Sequence, residues 1–325
     1  MTPLTYKTPL LPFKIEGEPD GPTLLLKYEI LQPGGSFKSR GISHLINTTL
    51  NSVAGDKSEL CVYSSSGGNA GLAAARACET LGVKCVVVVP KSTKQRMVEK
   101  IRATGSDVII HGAHWKEADH YLREVIMKQS TYSKKLYVHP FDNATLWEGH
   151  SEMVDEIIDQ LSDYSISTER LKGIVCSVGG GGLYSGIITG LERHNLAEKI
   201  SVFAMETKGC DALNKSLAVK EPVVLDGISS IATSLGSTYI CSNGFEKALK
   251  YSTKSIALDD QDVLDTCIKF FDQTSILVEP ACGASLHVCY HPELLGTLNP
   301  NDLYVVILCG GSCNTYDEIK TLSKR

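Results

Sequence analysis

The chain passes from an apolar run into four consecutive glycines at residues 173–183, GIVCSVGGGGL. The apolar run predicts a buried strand, and the pattern that follows predicts a helix over Leu183–Arg193. Consecutive glycines cost the folded chain conformational entropy, so we expect the backbone here to approach a ligand closely. Backbone N–H groups at a helix N-terminus suit an anion such as phosphate. The stretch therefore predicts a strand, an anion-binding turn and a helix, the repeating unit of parallel α/β folds.

Two known phosphate-binding motifs do not fit this turn. It lacks the Gly-Lys-Ser/Thr sequence of a Walker loop, and Ser185 stands where the dinucleotide fingerprint needs its last glycine or alanine. Glu206 does lie near the offset at which that fingerprint places an acidic residue. A dinucleotide site is less favoured and stays an alternative on these residues alone.

Short apolar runs alternate with helical patterns along the rest of the chain. The predicted strands are Leu60–Tyr63, Cys85–Val89, Asp107–Ile110, Leu136–His139, Gly173–Val178, Val202–Met205, Ser255–Leu258 and Leu303–Cys309. The other predicted helices are Asn69–Leu81, Lys94–Ala103, Trp115–Lys128 and Glu148–Leu161, and Glu279-Pro280 reads as a helix entry. Continuous apolar strands separated by helices predict an α/β fold with two open, twisted, mostly parallel sheets covered by helices. Residues 208–225 lack clear periodicity and are predicted as a long surface connection.

The composition excludes several classes of protein. The 325 residues carry 32 basic and 37 acidic side chains, a net charge of −5, which argues against nucleic-acid binding. The 11 cysteines are odd in number and form no C-x-x-C pair, so they predict reduced, buried thiols rather than disulfides or zinc ligands. Residues 1–10 have neither a signal nor a transit pattern, and no apolar run is long enough to span a membrane. We therefore expect a cytoplasmic protein.

Three further turns carry polar side chains, at residues 32–41 (QPGGSFKSRG), 64–71 (SSSGGNAG) and 308–315 (LCGGSCNT). In the first, Ser36 is predicted as a helix N-cap and Lys38 as a member of the first helical turn. The positive end of the helix dipole would lower the pKa of that amine, which a nucleophilic lysine needs. The second turn offers hydroxyls and N–H groups to a carboxylate or phosphate. Each turn alone fits an ordinary loop, but the four together indicate one ligand site.

With these four turns in place, the chain resembles the pyridoxal-phosphate (PLP) enzymes of the tryptophan-synthase-β type, or fold type II. Among them it is most similar to the L-serine/L-threonine dehydratases. The resemblance covers essentially the whole chain and is carried by residues 35–41 (GSFKSRG), 139–142 (HPFD) and 147–150 (WEGH). It implies PLP in a cleft between a large domain, residues 1–40 and 141–325, and a small domain, residues 41–140, inserted in it.

The resemblance assigns cofactor-binding roles to residues in three of the turns. Lys38 would hold PLP as a Schiff base and, once substrate displaces it, would remove the Cα proton. Phe37 would pack beside the ring, Asn69 would contact the ring hydroxyl, and Cys309 would face the pyridine nitrogen. The backbone that would hold the phosphate belongs to Gly179, Gly180, Gly181, Gly182 and Leu183.

The substrate carboxylate would be held by Ser66, Gly67, Asn69 and Ala70. The implied reaction is β-elimination, which turns L-serine into pyruvate and ammonia and L-threonine into 2-oxobutanoate and ammonia, in amino-acid catabolism and gluconeogenesis. Because a thiol is a weak donor, Cys309 would leave the pyridine nitrogen largely unprotonated and favour prompt loss of the β-hydroxyl. The resemblance also implies a homodimer, and we expect no C-terminal regulatory domain.

Two other functions stay as alternatives. Serine racemases of the same fold carry a serine at the position of Gly67 as a second base, so Gly67 argues against racemisation, and Gly67→Ser is expected to raise it. A binding protein without catalysis is the other alternative, and the intact Lys38 argues against it.

The family also binds a monovalent cation, here K⁺, for which the matching residues are Gly179, Glu206, Cys210, Leu235 and Ser237. A second cluster could resemble a metal site, but its spacing fits no standard one, and we interpret it as a solvated loop and helix face. Its members are His111, His114, Glu117, Asp119 and His120.

Overall fold

The structure is a computed structural model that describes residues 3–14, 21–53 and 56–324 of the chain. The strands are β1 (Leu10–Phe13), β2 (Thr23–Lys27), β3 (Leu60–Ser64), β4 (Lys84–Val89), β5 (Asp107–Ile110), β6 (Lys134–Tyr137), β7 (Leu171–Ser177), β8 (Ser201–Thr207), β9 (Thr253–Leu258) and β10 (Leu303–Ile307). The helices are α1 (Lys38–Ser52), α2 (Asn69–Leu81), α3 (Gln95–Arg102), α4 (Trp115–Tyr121), α5 (Met127–Gln129), α6 (Ala144–Asp163), α7 (Gly182–Arg193), α8 (Ala212–Val219), α9 (Ser242–Lys250), α10 (Asp260–Thr274), α11 (Pro280–Leu286) and α12 (Tyr316–Leu322).

The chain divides into two compact units. The smaller comprises Met1–Tyr6 and Gln32–Gly149, and the larger comprises Lys7–Leu31 and His150–Arg325. The sequence predicts a small domain over residues 41–140, so the compact unit extends beyond that range at both ends and contains Lys38.

The smaller unit contains a four-stranded parallel sheet in the order β5-β4-β3-β6. Strand β3 is buried along its whole length, which explains why its sequence is apolar rather than alternating. The alanine-rich helix α2 ends at Gly82, whose φ of +67° is a left-handed conformation that glycine adopts without strain. Val83 N then donates to Cys78 O at 3.0 Å and closes the helix end.

The larger unit contains a six-stranded sheet in the order β1-β2-β10-β7-β8-β9. Among the strands that the structure describes, β1 and β2 pair antiparallel and all other neighbours are parallel. Strands β10 and β7 lie side by side in the middle, with Val306 opposite Val175. The turns at residues 178–182 and 308–315 therefore follow the carboxyl ends of two adjacent strands, where ligands bind in open α/β sheets.

Most predicted elements are confirmed within a few residues, and helix α11 does begin at Pro280 after Glu279. All 11 cysteines are buried and none forms a disulfide within the described residues, as the sequence predicts for the thiols. Among the described residues, no helix has both the length and the hydropathy to cross a lipid bilayer.

The structure adds to or departs from the sequence-based description of local structure in three places. The predicted strand list omitted β1, whose Pro12 fits only an edge strand, and β2, whose last residue is a buried lysine. Residues 208–225 are not merely a connection, because they contain helix α8 with Leu213 and Ser216 buried. The segment predicted as a helix over residues 115–128 is helical but contains a π-helical turn at Leu122–Ile126. The hydrophobic periodicity of the sequence does not predict that turn.

Candidate active site

Lys38 is the first residue of helix α1, as predicted, and lies in the smaller unit. Its Nζ donates a hydrogen bond to Pro140 O at 2.7 Å and lies 5.1 Å from the centre of the Phe37 ring. This arrangement fixes a primary amine beside an aromatic ring at the start of a helix.

The predicted N-cap role of Ser36 is wrong. Residue Phe37 occupies the N-cap position with a helical backbone (φ −50°, ψ −22°) and no side-chain cap bond. The chain already turns before the helix, since Ser39 N donates to Ser36 O at 3.2 Å. The Ser36 hydroxyl is instead buried, and no hydrogen-bond partner for it is found among the described residues. A buried hydroxyl without a described partner, two residues before Lys38, is the kind of group that a bound ligand would satisfy.

The turn at residues 64–71, called the carboxylate turn below, opens helix α2. Inside it, Ser66 N donates to Ser64 Oγ at 3.4 Å and Gly68 N donates to Ser66 Oγ at 3.3 Å. A Cβ atom at Gly71 would lie 1.8 Å from Ser66 O, so only glycine permits this close return of the helix. Asn69 and Ala70, in the first helical turn, are both buried. The N–H groups of such a turn are free of intrahelical partners and can hold an anion.

Asp119 lies behind this turn and was missed as a site residue. Its Oδ1 accepts a hydrogen bond from Ser65 Oγ at 2.8 Å, and its side chain is buried rather than solvated as predicted. The interpretation of Asp119 as part of a solvated face is therefore wrong. Helix periodicity offered a signal, because Ala118 and Leu122 are both fully buried and place Asp119 at the edge of the buried face.

Residues 139–142 carry the carbonyl that holds Lys38. His139 Nδ1 accepts from Asp142 N at 2.9 Å, and its ring packs edge-on against Phe141 with centres 4.6 Å apart. Burial lowers the pKa of His139, so this imidazole is neutral at pH 7. Trp147 Nε1 donates to Phe141 O at 2.7 Å and closes the segment. These hydrogen bonds hold the segment that carries Pro140 O, the acceptor of the Lys38 amine.

The glycine turn of the larger unit has the predicted form. Strand β7 ends at Ser177, and helix α7 begins at Gly182 after Gly181, which has a φ of +90°. A Cβ atom at Gly181 would lie 2.4 Å from Ile240 Cδ1, and one at Gly179 would lie 2.7 Å from Leu235 O. Side chains are therefore excluded on this side of the turn. The first N–H groups of α7, including that of Leu183, lack intrahelical acceptors by geometry and are of the kind that can hold an anion.

Cys309 follows β10, next to the glycine turn along the edge of the same sheet. It is 4% exposed. The neighbouring Cys282 thiol and burial hold the pKa of the Cys309 thiol well above its ordinary value. The sulfur is therefore a protonated thiol at neutral pH, a weak neutral donor.

The five residues predicted to bind a cation lie in the larger unit. Glu206 is fully buried, and its oxygens accept from Leu213 N at 2.9 Å and Asn214 N at 2.7 Å, at the start of α8. Burial raises the pKa of Glu206 to about 8. Gly179 packs against the Leu235 carbonyl. Cys210 is buried, and Ser237 Oγ donates to Tyr239 O at 2.6 Å.

Comparisons with known proteins match nearly the whole chain. The chain is 57% identical over 320 residues to an L-serine dehydratase of Saccharomyces cerevisiae, with 96% of this chain and 95% of that protein covered. It is 49% identical over 322 residues to the catabolic L-serine/threonine dehydratase of the same species, covering 97% and 89% of the two chains.

Among solved structures, a fungal L-serine ammonia-lyase from Rhizomucor miehei matches with a TM-score of 0.89 and 31% identity over 99% of both chains. The predicted α/β fold of the fold type II enzymes is thereby confirmed. A profile of the family described as "Pyridoxal-phosphate dependent enzyme" matches residues 1–310. The chain belongs to the family of pyridoxal-phosphate dependent enzymes.

Proposed function

We propose that this protein is an L-serine/L-threonine ammonia-lyase. It would convert L-serine into pyruvate and ammonia, and L-threonine into 2-oxobutanoate and ammonia. The observation that carries the proposal is the pairing of one amine, Lys38, with a carboxylate turn whose Gly67 has no side chain. The names of relatives that are 49–57% identical support the same reaction.

The residues present fit PLP. In the smaller unit, Lys38 offers the amine, Phe37 an aromatic face and Asn69 a polar side chain, and the buried Ser36 hydroxyl needs a partner. In the larger unit, the N–H groups of Gly179–Leu183 would hold the phosphate, and Cys309 would face the ring nitrogen. When bound, PLP withdraws electrons from the Cα atom of the amino acid.

The chain's own residues would do the remaining work. The carboxylate turn, with Ser66, Gly67, Asn69 and Ala70, would bind the substrate carboxylate and fix its orientation. Lys38 would take the Cα proton, and its bond to Pro140 O holds Nζ in place for that transfer. The Cα proton and the β-hydroxyl together balance one water, and the 2-aminoacrylate that remains (2-aminocrotonate from L-threonine) would be hydrolysed by water to the oxo acid and ammonia.

The neutral Cys309 thiol supports elimination over racemisation. As a weak neutral donor facing the ring nitrogen, Cys309 would leave that nitrogen of bound PLP largely unprotonated, which would favour loss of the β-hydroxyl. Racemisation also requires a base on the opposite face, and Gly67 supplies none. The racemase alternative is therefore less well supported.

The test is direct. Purified protein loaded with PLP is incubated with L-serine, L-threonine and D-serine, and oxo acid and serine chirality are measured. We expect oxo acid from both L-amino acids and none above background from Lys38→Ala. General-base catalysis contributes roughly 10²–10⁴-fold, so a Lys38→Ala variant with full activity would show that the base is another residue. Racemised serine without oxo acid would contradict the proposal.

We also propose that K⁺ binds near Glu206, with the carbonyl oxygens of Gly179, Cys210, Leu235 and Ser237. A fully buried carboxylate with a raised pKa supports this, because a cation would compensate its charge. The homodimer, the cytoplasmic location and a role in gluconeogenesis are proposals that rest on the family resemblance. Light scattering of the purified protein tests the first of these.

A further inference from the structure

Asp119 is a buried carboxylate directly behind the carboxylate turn. Ser65 is fully buried and Asp119 is 9% exposed, and the hydrogen bond between Ser65 Oγ and Asp119 Oδ1 measures 2.8 Å. Charge-assisted hydrogen bonds of this length are stronger than neutral ones. By contrast, the two bonds inside the turn, at 3.3 and 3.4 Å, are long. The bond to Asp119 is thus the short one among the side-chain bonds described for this turn.

The same oxygen of Asp119 has a second donor. Tyr137 OH, at the end of strand β6, donates to Oδ1 at 2.5 Å. Burial, and then the bond to Asp119, raise the pKa of the Tyr137 phenol, so it stays a donor. An ionised carboxylate only accepts, so both hydroxyls must point their hydrogens at it. The carboxylate is therefore held between a strand and the carboxylate turn.

The helix that carries Asp119 continues into an irregular turn that brings no break in the chain's helical course. A π-helical turn at Leu122–Ile126 follows α4 directly, and such turns often mark functional sites. Arg123 follows Asp119 by four residues, and its Nη1 lies 3.7 Å from Asp119 Oδ2 with its guanidinium 5.5 Å from the Tyr137 ring centre. Arg123 is thereby in position to offset the negative charge that lies behind the turn.

A negative charge behind a carboxylate site is unfavourable for binding a second carboxylate unless it has another use. Here the bond to Ser65 Oγ anchors the residue that directly precedes Ser66, the first residue expected to contact the substrate carboxylate. We propose that Asp119 is a positioning residue for the substrate carboxylate, acting through Ser65. This inference rests on the proposed function, in which the turn binds an amino-acid carboxylate.

The experiment compares Asp119→Ala, Asp119→Asn, Ser65→Ala and the double variant Ser65→Ala/Asp119→Ala, each loaded with PLP. The measurements are kcat and KM for L-serine, the dissociation constant of glycine from the cofactor absorbance, and Tm. Glycine has the amino-acid carboxylate but no β-hydroxyl to lose, so its dissociation constant measures carboxylate binding by the turn without turnover. Asp56→Ala is the matched control, because it removes a Ser–Asp bond of 2.7 Å, made by Ser58 on an exposed surface of the same unit.

Loss of one hydrogen bond to a charged group corresponds to about a tenfold change in affinity. We expect Asp119→Ala and Ser65→Ala each to raise KM and the glycine dissociation constant about tenfold, with kcat within about threefold. The double variant should be no worse than Asp119→Ala alone, because Asp119→Ala already removes the bond that Ser65→Ala removes. Asp119→Asn keeps an acceptor and should restore binding to within about threefold of the original chain.

Several results would overturn the proposal. One is an Asp119→Ala variant with unchanged KM and glycine affinity, whatever happens to its Tm. Another is a double variant whose losses multiply to about a hundredfold. If Asp119→Ala does not fold, Ser65→Ala carries the test, since it removes a single hydroxyl. An original chain that binds glycine but forms no oxo acid contradicts the proposed reaction alone, and the glycine constants still decide the role of Asp119.

Discussion

The side chain of Thr93 fills the space that a side chain at Gly67 would need. A Cβ atom at position 67 would lie 2.4 Å from Thr93 Oγ1 and 2.6 Å from Thr93 Cγ2. Thr93, 26 positions further along the chain, therefore leaves no room for a side chain at position 67 unless it moves. This contact changes what the Gly67→Ser substitution is expected to do.

Gly67→Ser alone should not create a racemase. The new Cβ would press on a β-branched residue, and overpacking of this kind costs typically about 1–3 kcal/mol. We expect Gly67→Ser to lower Tm and kcat for oxo-acid formation, with little D-serine. The double variant Gly67→Ser/Thr93→Ala should recover stability and form D-serine at least about tenfold faster than Gly67→Ser.

Chiral chromatography of serine and thermal unfolding check this prediction, with Thr93→Ala alone as the control. If Gly67→Ser by itself formed D-serine rapidly at an unchanged Tm, Thr93 would not be the obstacle. If neither variant formed D-serine, a serine at position 67 would not act as a base here.

Cys309 should tolerate a neutral replacement better than a charged one. Because its pKa is raised, the sulfur acts as an uncharged group, and Cys309→Ser keeps a small neutral donor. We expect that variant to retain kcat to within about tenfold. Cys309→Asp should reduce kcat by about a hundredfold or more, since a carboxylate would favour protonation of the ring nitrogen. The measurement is pyruvate formation at saturating L-serine, and equal losses in the two variants would contradict the role.

Glu206 should make the stability of the larger unit depend on pH. Burial raises its pKa in the folded chain to about 8, above the ordinary value of 4.5. The folded state then binds this proton more tightly than the unfolded chain, so the stabilisation is complete below pH 4.5 and is lost as the pH rises through 8. In a buffer without K⁺, we expect Tm to fall by several degrees between about pH 5 and 8.5, and to fall less in Glu206→Gln.

Potassium should act against this loss. If K⁺ binds beside Glu206, a potassium salt at fixed ionic strength raises Tm at pH 8 in the original chain but not in Glu206→Gln. Differential scanning calorimetry with tetramethylammonium as the reference cation makes the comparison. Parallel pH slopes in the two proteins would contradict the role of Glu206, and an equal effect of both cations would contradict the potassium site.

The sequence predicted those parts of the site whose residues are neighbours along the chain. The local sequence pattern predicts Lys38 at the start of a helix and the glycine turn of residues 179–182 between a strand and a helix. Both lie at these positions in the structure. Asp119 and Thr93 could not be found this way. The partner of Asp119 is 54 positions away and the residue that Thr93 excludes is 26 positions away, so only the folded sheet brings them to the turn.

A buried lysine in β2 provides the last prediction, on stability. Lys27 is fully buried, and its Nζ donates to Glu156 Oε2 at 2.6 Å, to Gln160 Oε1 at 2.8 Å and to Thr8 O at 2.8 Å. Removing one member of a buried ion pair leaves the other without compensation and costs about 3–5 kcal/mol. We expect Lys27→Met to lower Tm by about 5 °C or more. Lys27→Met/Glu156→Gln should recover at least half of that loss, because neither partner of the Lys27–Glu156 pair is then charged.

The matched control is Lys7→Met, which breaks the exposed pair Lys7–Asp159 at 3.9 Å and should shift Tm by less than about 1 °C. Thermal unfolding followed by circular dichroism measures all three, and equal shifts for Lys27→Met and Lys7→Met would show that burial does not strengthen this network.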